Sequence, residues 1–132
     1  MNSNITFEIS DHISRITMDD GKVNAFSIEM LENFREMLSK VPRDKGALII
    51  SGRPGIFSGG FNLKTFQSGD VEQITKMLKL GFETLYDVYT FPRPVIAEVT
   101  GHAIALGIFL VSCCLLLLQF LASPVYSVFG HS

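Results

Sequence analysis

The chain is poor in cysteine, in charge toward its C-terminal end, and in several of the motifs that announce nucleotide or hydrolase chemistry. Its two cysteines, Cys113 and Cys114, are neighbours in 132 residues. Adjacent cysteines cannot staple distant segments. Without a Cys-x-x-Cys or a His at ligand spacing they make neither a disulfide framework nor a zinc site. A reducing, cytoplasmic setting is the simplest fit. No basic stripe is present and the formal net charge is −2, so nucleic acid is not an expected partner. No leader pattern is visible at Met1-Asn2-Ser3-Asn4. The phosphate-loop pattern fails, because Gly55 and Gly60 have its spacing but Phe61 stands where a lysine is needed. No Gly-x-Gly-x-x-Gly or Gly-x-Ser-x-Gly occurs, which excludes a dinucleotide fingerprint and a hydrolase nucleophile elbow. After Glu98 there is no Asp, Glu, Lys or Arg at all.

What the chain does have is a glycine-bearing turn, Gly55-Ile56-Phe57-Ser58-Gly59-Gly60-Phe61-Asn62-Leu63-Lys64. It follows Ala47-Leu48-Ile49-Ile50, a short apolar run of the kind that forms a buried strand. Leu63 and Lys64 read as the start of a helix. A strand, a glycine turn and a helix N-terminus in succession would aim unpaired N–H groups at one point, favouring negative charge there. An ordinary strand-to-helix loop is the competing reading. A second strand–turn–helix is predicted at Pro94-Val95-Ile96-Ala97-Glu98-Val99-Thr100-Gly101-His102-Ala103-Ile104-Ala105-Leu106-Gly107.

The remaining elements follow from periodicity. Ile5 to Ile9 and Ile13 to Met18 alternate apolar and polar residues around Ser10-Asp11-His12, which predicts a hairpin with one buried face. His12 sits in that turn and is read as solvated. Asp19-Asp20-Gly21-Lys22 supplies turn chemistry. Ser27 caps a helix to about Lys40 whose buried stripe is Ile28, Leu31, Phe34 and Leu38. Asp70 caps a longer one, with Gln73 reaching back in a capping box and Val71, Ile74, Leu78, Phe82, Leu85 and Tyr89 as the buried stripe. Phe91-Pro92-Arg93-Pro94 ends it. This order predicts an α/β fold with right-handed crossovers, both glycine-bearing turns following neighbouring strands.

Three ordered stretches resemble the crotonase (enoyl-CoA hydratase/isomerase) superfamily: Val23-Asn24-Ala25-Phe26, Phe57 to Lys64, and Phe91 to Cys114 with its Pro-Val-Ile-Ala and Gly-His-Ala cores. The resemblance covers about residues 5 to 114. It implies a crotonase-like ββαβαβα partial core, a mostly parallel sheet flanked by helices, with residues 1–114 as the N-terminal part of the domain and 115–132 as a divergent apolar tail. It also implies fatty-acid metabolism, an acyl-CoA thioester as substrate, no cofactor beyond the coenzyme A carried by that substrate, and homotrimers in the family.

Chemistry of this type puts negative charge on a thioester carbonyl oxygen, which two backbone N–H groups stabilise. By resemblance the donors are the amides of Phe61 and Leu106. This chain departs from the family's usual glycines at Ala105 and Leu106, which keeps the donor but narrows the pocket. Resemblance assigns coenzyme A contacts to Ala25, Phe26, Gly60, Phe61, Asn62, Leu63, Lys64 and Gly107. For Ala25 and Phe26 the alternative is a plain helix-entry loop, and for Lys64 a solvated lysine. Hydratases of the family use two glutamates. The first would align with Phe109 and the second would lie near residue 129, where this chain has no carboxylate. Glu98 is a displaced acid, a buried carboxylate with a local partner, or simply a strand-edge residue. His102 is either titrating or structural.

The expected function is therefore an enoyl-CoA hydratase/isomerase-family protein of impaired activity. The alternatives are an acyl-CoA-binding fragment without catalysis, or a protein anchored in membrane through residues 103–122, a run long enough to span a bilayer. The loss of resemblance after Cys114 suggests a truncated chain with an unrelated ending, such as a frameshift leaves.

Overall fold

The computed structural model describes residues 4–99, 101–103 and 116–119. Ile5–Ser10 (β1) and Ile13–Met18 (β2) form the expected antiparallel hairpin. Asp11 and His12 both adopt positive φ, 50° and 68°, as a two-residue turn matched to strand twist requires. Beyond β2 every pairing in this sheet is parallel. Ala47–Ser51 (β4) joins β2, Val95–Val99 (β7) joins β4, and Leu116–Gln119 (β9) joins β7, giving the order β1-β2-β4-β7-β9.

Alternation sorts the two faces of this sheet. Ile5, Ile16, Met18, Leu48, Ile50, Val95, Ala97 and Val99 are all buried on one side. Helix α1 (Ile28–Leu38) lies against that side with Met30, Leu31, Phe34, Met37 and Leu38 buried. Each such side chain contributes about 1.5–3 kcal/mol relative to remaining exposed. Ser27 is the N-cap, accepting from Met30 N at 3.0 Å. The other face carries Thr6, Glu8, Arg15, Thr17, Ser51 and Glu98. There Glu98 accepts from Arg15 Nη1 at 2.6 Å and from Ser51 Oγ at 2.7 Å. Glu98 is thus a carboxylate with local partners.

Helix α3 (Val71–Tyr89) corrects the expected stripe. Its buried residues are Met77, Gly81, Thr84 and Val88, whereas Val71, Phe82 and Tyr89 are 74%, 58% and 73% exposed. The reason is steric and electrostatic. Gly81 and Thr84 are small, so this face lets α3 approach α1 closely, and the Thr84 hydroxyl is satisfied by Leu80 O at 2.7 Å. Arg35 of α1 then fixes the rotation by donating to Glu83 at 2.9 Å and Asp87 at 2.8 Å. The helix start differs too: Asp70 accepts from Gln73 N, but the Asp70 N–H donates to Ser68 Oγ at 3.2 Å, a role expected of the Gln73 side chain.

Two short parallel pairs complete the described fold. Ala25–Phe26 (β3) pairs with Gly60–Phe61 (β6), and Gly55–Ser58 (β5) pairs with Gly101–Ala103 (β8). The glycine stretch is therefore two strands rather than one loop, and it ends in a short helix α2 (Leu63–Gln67). Gly101-His102-Ala103, expected as a turn, is likewise a strand. A Cβ on Gly101 would sit 2.1 Å from the Gly55 carbonyl carbon, so this pairing admits only glycine there. The architecture is α/β, with a mostly parallel sheet flanked by helices.

Candidate functional site

The site is built by the meeting of two stretches far apart in sequence. Asp20 organises the first. Its Oδ1 accepts from the backbone N–H of Lys22 at 2.7 Å and of Asn24 at 2.9 Å, and its Oδ2 accepts from Ala25 N at 3.1 Å. A short carboxylate side chain that captures nearby amides is what makes Asp favourable in turns. Arg53 braces the same loop, pairing with Asp19 at 3.2 Å and donating to the Lys22 carbonyl. Asn24 is fully buried at φ 54° and donates from Nδ2 to Met18 O and Phe57 O.

The second stretch runs from Phe57 to Lys64 and lies alongside the first. Gly59 N donates to Val23 O at 2.7 Å, and Asn62 N donates to Phe26 O at 3.1 Å. Ala25 is in register with Gly60 and Phe26 with Phe61. In a parallel ladder alternate residues of a strand turn their N–H and C=O toward the same neighbour. Because Asn62 N faces β3, the N–H of Phe61 faces away from it.

Residues of both stretches line a cleft of about 390 Å³: Asn4, Asp20, Lys22, Val23, Ala25, Ser27, Met30, Gly59, Phe61, Asn62, Leu63 and Lys64. Five of the residues expected from sequence line it: Ala25, Phe61, Asn62, Leu63 and Lys64. Phe26 and Gly60 stand behind the wall. Phe26 is a core side chain, 1% exposed, whose carbonyl is taken by Asn62, and Gly60 is buried with φ 88°. Leu106 and Gly107 lie outside the described residues, as do Phe109, Cys113 and Cys114.

Other expectations meet the geometry differently. Helix α2 has five residues, and Asn62 Oδ1 already accepts from Thr65 N at 3.3 Å, so its N-terminus adds little field to the cleft. Glu98 is engaged with Arg15 and Ser51 and does not line the cleft. His102 is exposed on β8. No helix among the described residues is long and apolar enough to cross a membrane, and within the run 103–122 the segment Leu116–Gln119 is a strand of the main sheet.

Sequence reasoning overlooked Lys22 and Asp20 at the cleft. The signal was present, since Asp-Gly-Lys directly before Val-Asn-Ala puts a cation beside the expected contact at Ala25. Read only as a strand terminator, it yielded a turn and no site. The rim of the cleft now holds two lysines, Lys22 and Lys64, and one carboxylate whose oxygens are occupied by backbone amides. The back wall, Met30 with Phe61, is apolar. Phe61 is packed edge-on against Phe66 and Phe82, with ring centroids 6.1 and 6.4 Å away.

The enoyl-CoA hydratase/isomerase family model matches residues 8–119, running past Cys114 through β9. A "Probable enoyl-CoA hydratase" of Bacillus subtilis is 27% identical over 113 residues, which is 83% of this chain and 44% of that protein. Among solved structures, a probable enoyl-CoA hydratase of Mycobacterium tuberculosis is 41% identical with a TM-score of 0.84, covering 87% of this chain and 49% of that one. An enoyl-CoA hydratase of Mycobacterium ulcerans is 38% identical with a TM-score of 0.86, covering 92% and 54%. The chain thus spans about half the length of these relatives. On its sequence, its parallel sheet and its paired glycine stretch together, the chain belongs to the enoyl-CoA hydratase/isomerase (crotonase) family.

Proposed function

We propose that the cleft binds an acyl-CoA thioester and that the Phe61 N–H donates to its carbonyl oxygen, with the Leu106 N–H as second donor. The observation that carries this reading is the β3–β6 register, which leaves the Phe61 amide on the side of the ladder away from β3, in a residue that lines the cleft. A donor held by a strand pairing is pre-aimed and costs no reorganisation when charge develops on the oxygen. Losing one such donor typically costs about 2.7–4 kcal/mol of transition-state stabilisation. Lys22 and Lys64 at the rim suit the phosphates of coenzyme A, and Ala25, whose N–H is taken by Asp20, lines the same cleft.

Turnover in this chain is slow in the same reading. Phe109 stands where hydratases of the family place their first glutamate, Glu98 is committed on the far face of the sheet, and the Asp20 carboxylate is occupied by three backbone amides. Without a general acid and base, a factor of about 10²–10⁴ is lost. The chain therefore holds and polarises a thioester better than it transforms one. A reducing compartment fits two adjacent cysteines, Cys113 and Cys114, in a sequence without Cys-x-x-Cys.

Isothermal titration with butyryl-CoA and with free coenzyme A tests this. The thioester is expected to bind more tightly than the thiol, with hydration of crotonyl-CoA barely above background. Equal affinity for the two would remove the carbonyl contact from the reading, and binding of neither would remove the site.

A further inference from the structure

Ser58 is fully buried between the two stretches that form the cleft wall, yet its side chain is polar. Its hydroxyl donates to Asn24 O at 2.8 Å and accepts from Gly60 N at 3.1 Å. One oxygen thereby ties the loop that carries Ala25 to the amide immediately before that of Phe61. The amides on either side are committed as well, Gly59 N to Val23 O and Asn62 N to Phe26 O.

Gly60 explains why an anchor matters here. Its φ of 88° is open to glycine and costly to other residues. The same freedom makes the Gly60–Phe61 peptide easy to rotate, and that peptide carries the Phe61 N–H. With Gly60 N fixed to Ser58, the preceding peptide plane is set. The β3 pairing then sets the next one. Removing the hydroxyl leaves Gly60 N and Asn24 O without this partner inside the protein, and burial makes both seek a new one.

We infer that Ser58 is a positioning residue, whose hydroxyl aims the Phe61 N–H by anchoring Gly60 N to Asn24 O. It touches no substrate and acts through the backbone. The inference rests on the acyl-CoA reading for what the amide receives, while the hydrogen bond itself does not depend on that reading.

The experiment compares the full chain with Ser58→Ala, which keeps the volume and removes the oxygen. The unmodified chain is expected to prefer butyryl-CoA over coenzyme A, and the thioester carbonyl stretch of the bound ligand to shift to lower frequency. Ser58→Ala is expected to lose about tenfold in butyryl-CoA affinity, to bind coenzyme A as before, and to return the carbonyl stretch toward its value in water. A general loosening would weaken both ligands alike, and that result overturns the inference. So does an undiminished thioester preference in Ser58→Ala. If the unmodified chain shows no preference, the functional reading fails instead. Amide hydrogen exchange on the unmodified, ligand-free chain decides the matter even where the variant does not fold. Gly60 N–H is expected to be protected and Phe61 N–H to exchange faster, and equal protection of the two overturns the proposal.

Discussion

The side-chain amide of Asn24 donates to the carbonyl of Phe57 at 3.1 Å, and its second hydrogen goes to Met18 O at 2.8 Å, so one fully buried residue joins three stretches of chain. Its Oδ1 also accepts from Asp20 N at 2.9 Å. Asparagine suits the place twice over, because it tolerates φ 54° and offers both donors and an acceptor. Asn24→Ala is expected to destabilise the fold by about 2–4 kcal/mol, since two buried carbonyls lose their donor. Asn24→Asp should do no better, because a carboxylate cannot donate to either carbonyl. Urea denaturation measures both. A loss below about 1 kcal/mol in each would mean the bonds are replaced by water.

Gly101 and Gly55 make a sharper steric prediction. Any Cβ on Gly101 would lie 2.1 Å from Gly55 C and 2.2 Å from Gly55 O, and backbone cannot step aside as a side chain can. Gly101→Ala should therefore cost about 3 kcal/mol or more and separate β5 from β8. Gly69→Ala is the control. It has open space around it, and its φ of 71° alone costs about 1–2 kcal/mol. Thermal unfolding of the two variants side by side checks the ordering, which would be reversed if the close approach of the two glycines were not real.

Glu98 and Lys64 separate stability from binding. Glu98→Gln, on the face of the sheet away from the helices, is expected to cost about 1–2 kcal/mol through the partly exposed pair with Arg15, and to leave butyryl-CoA affinity unchanged. Lys64→Gln is expected to do the opposite: stability stays within about 0.5 kcal/mol, while affinity falls by up to about fivefold at low salt. The Lys64 effect should fade as salt screens the rim. Titration calorimetry at two ionic strengths reads both, and a salt-independent loss in Lys64→Gln would speak against a phosphate contact.

The outward face of α3 predicts self-association. Phe82, Tyr86 and Tyr89 are 58%, 66% and 73% exposed, a row of aromatic surface wider than isolated exposed residues present. Replacing the two tyrosines together, Tyr86→Lys with Tyr89→Glu, should lower light scattering at high protein concentration without moving the thermal midpoint. Unchanged scattering would place the sticky surface elsewhere.

Much of this molecule could be read from the sequence where a single period governed a segment. The hairpin Ile5–Met18 emerged with its strands and turn, although Ile9 and Ile13 are exposed. Helix α1 emerged with its serine cap and with Leu31, Phe34 and Leu38 buried, while Ile28 is only partly buried and Met30 and Met37 join the core in its place. The buried face of helix α3 did not emerge, because apolar residues lie on several of its faces; size then decides which face meets α1, and Gly81 with Thr84 wins over larger side chains. The strands Gly55–Ser58 and Gly60–Phe61 were hidden for a different reason. Two to four residues carry no usable period, and their pairing partners at Ala25–Phe26 and Gly101–Ala103 are remote in sequence. In the cleft, the contribution of Ala25, Phe61, Asn62, Leu63 and Lys64 was expected from resemblance. That of Asp20 and Lys22 emerges only once a turn's carboxylate is seen gathering the amides around it.

The order of strands in the main sheet has a bearing on how the molecule comes into being. In β1-β2-β4-β7-β9 every strand is laid beside the one added before it, always on the same growing edge. A ribosome delivers the chain in that same direction, N-terminal part first. No arriving strand therefore has to insert between two that are already paired.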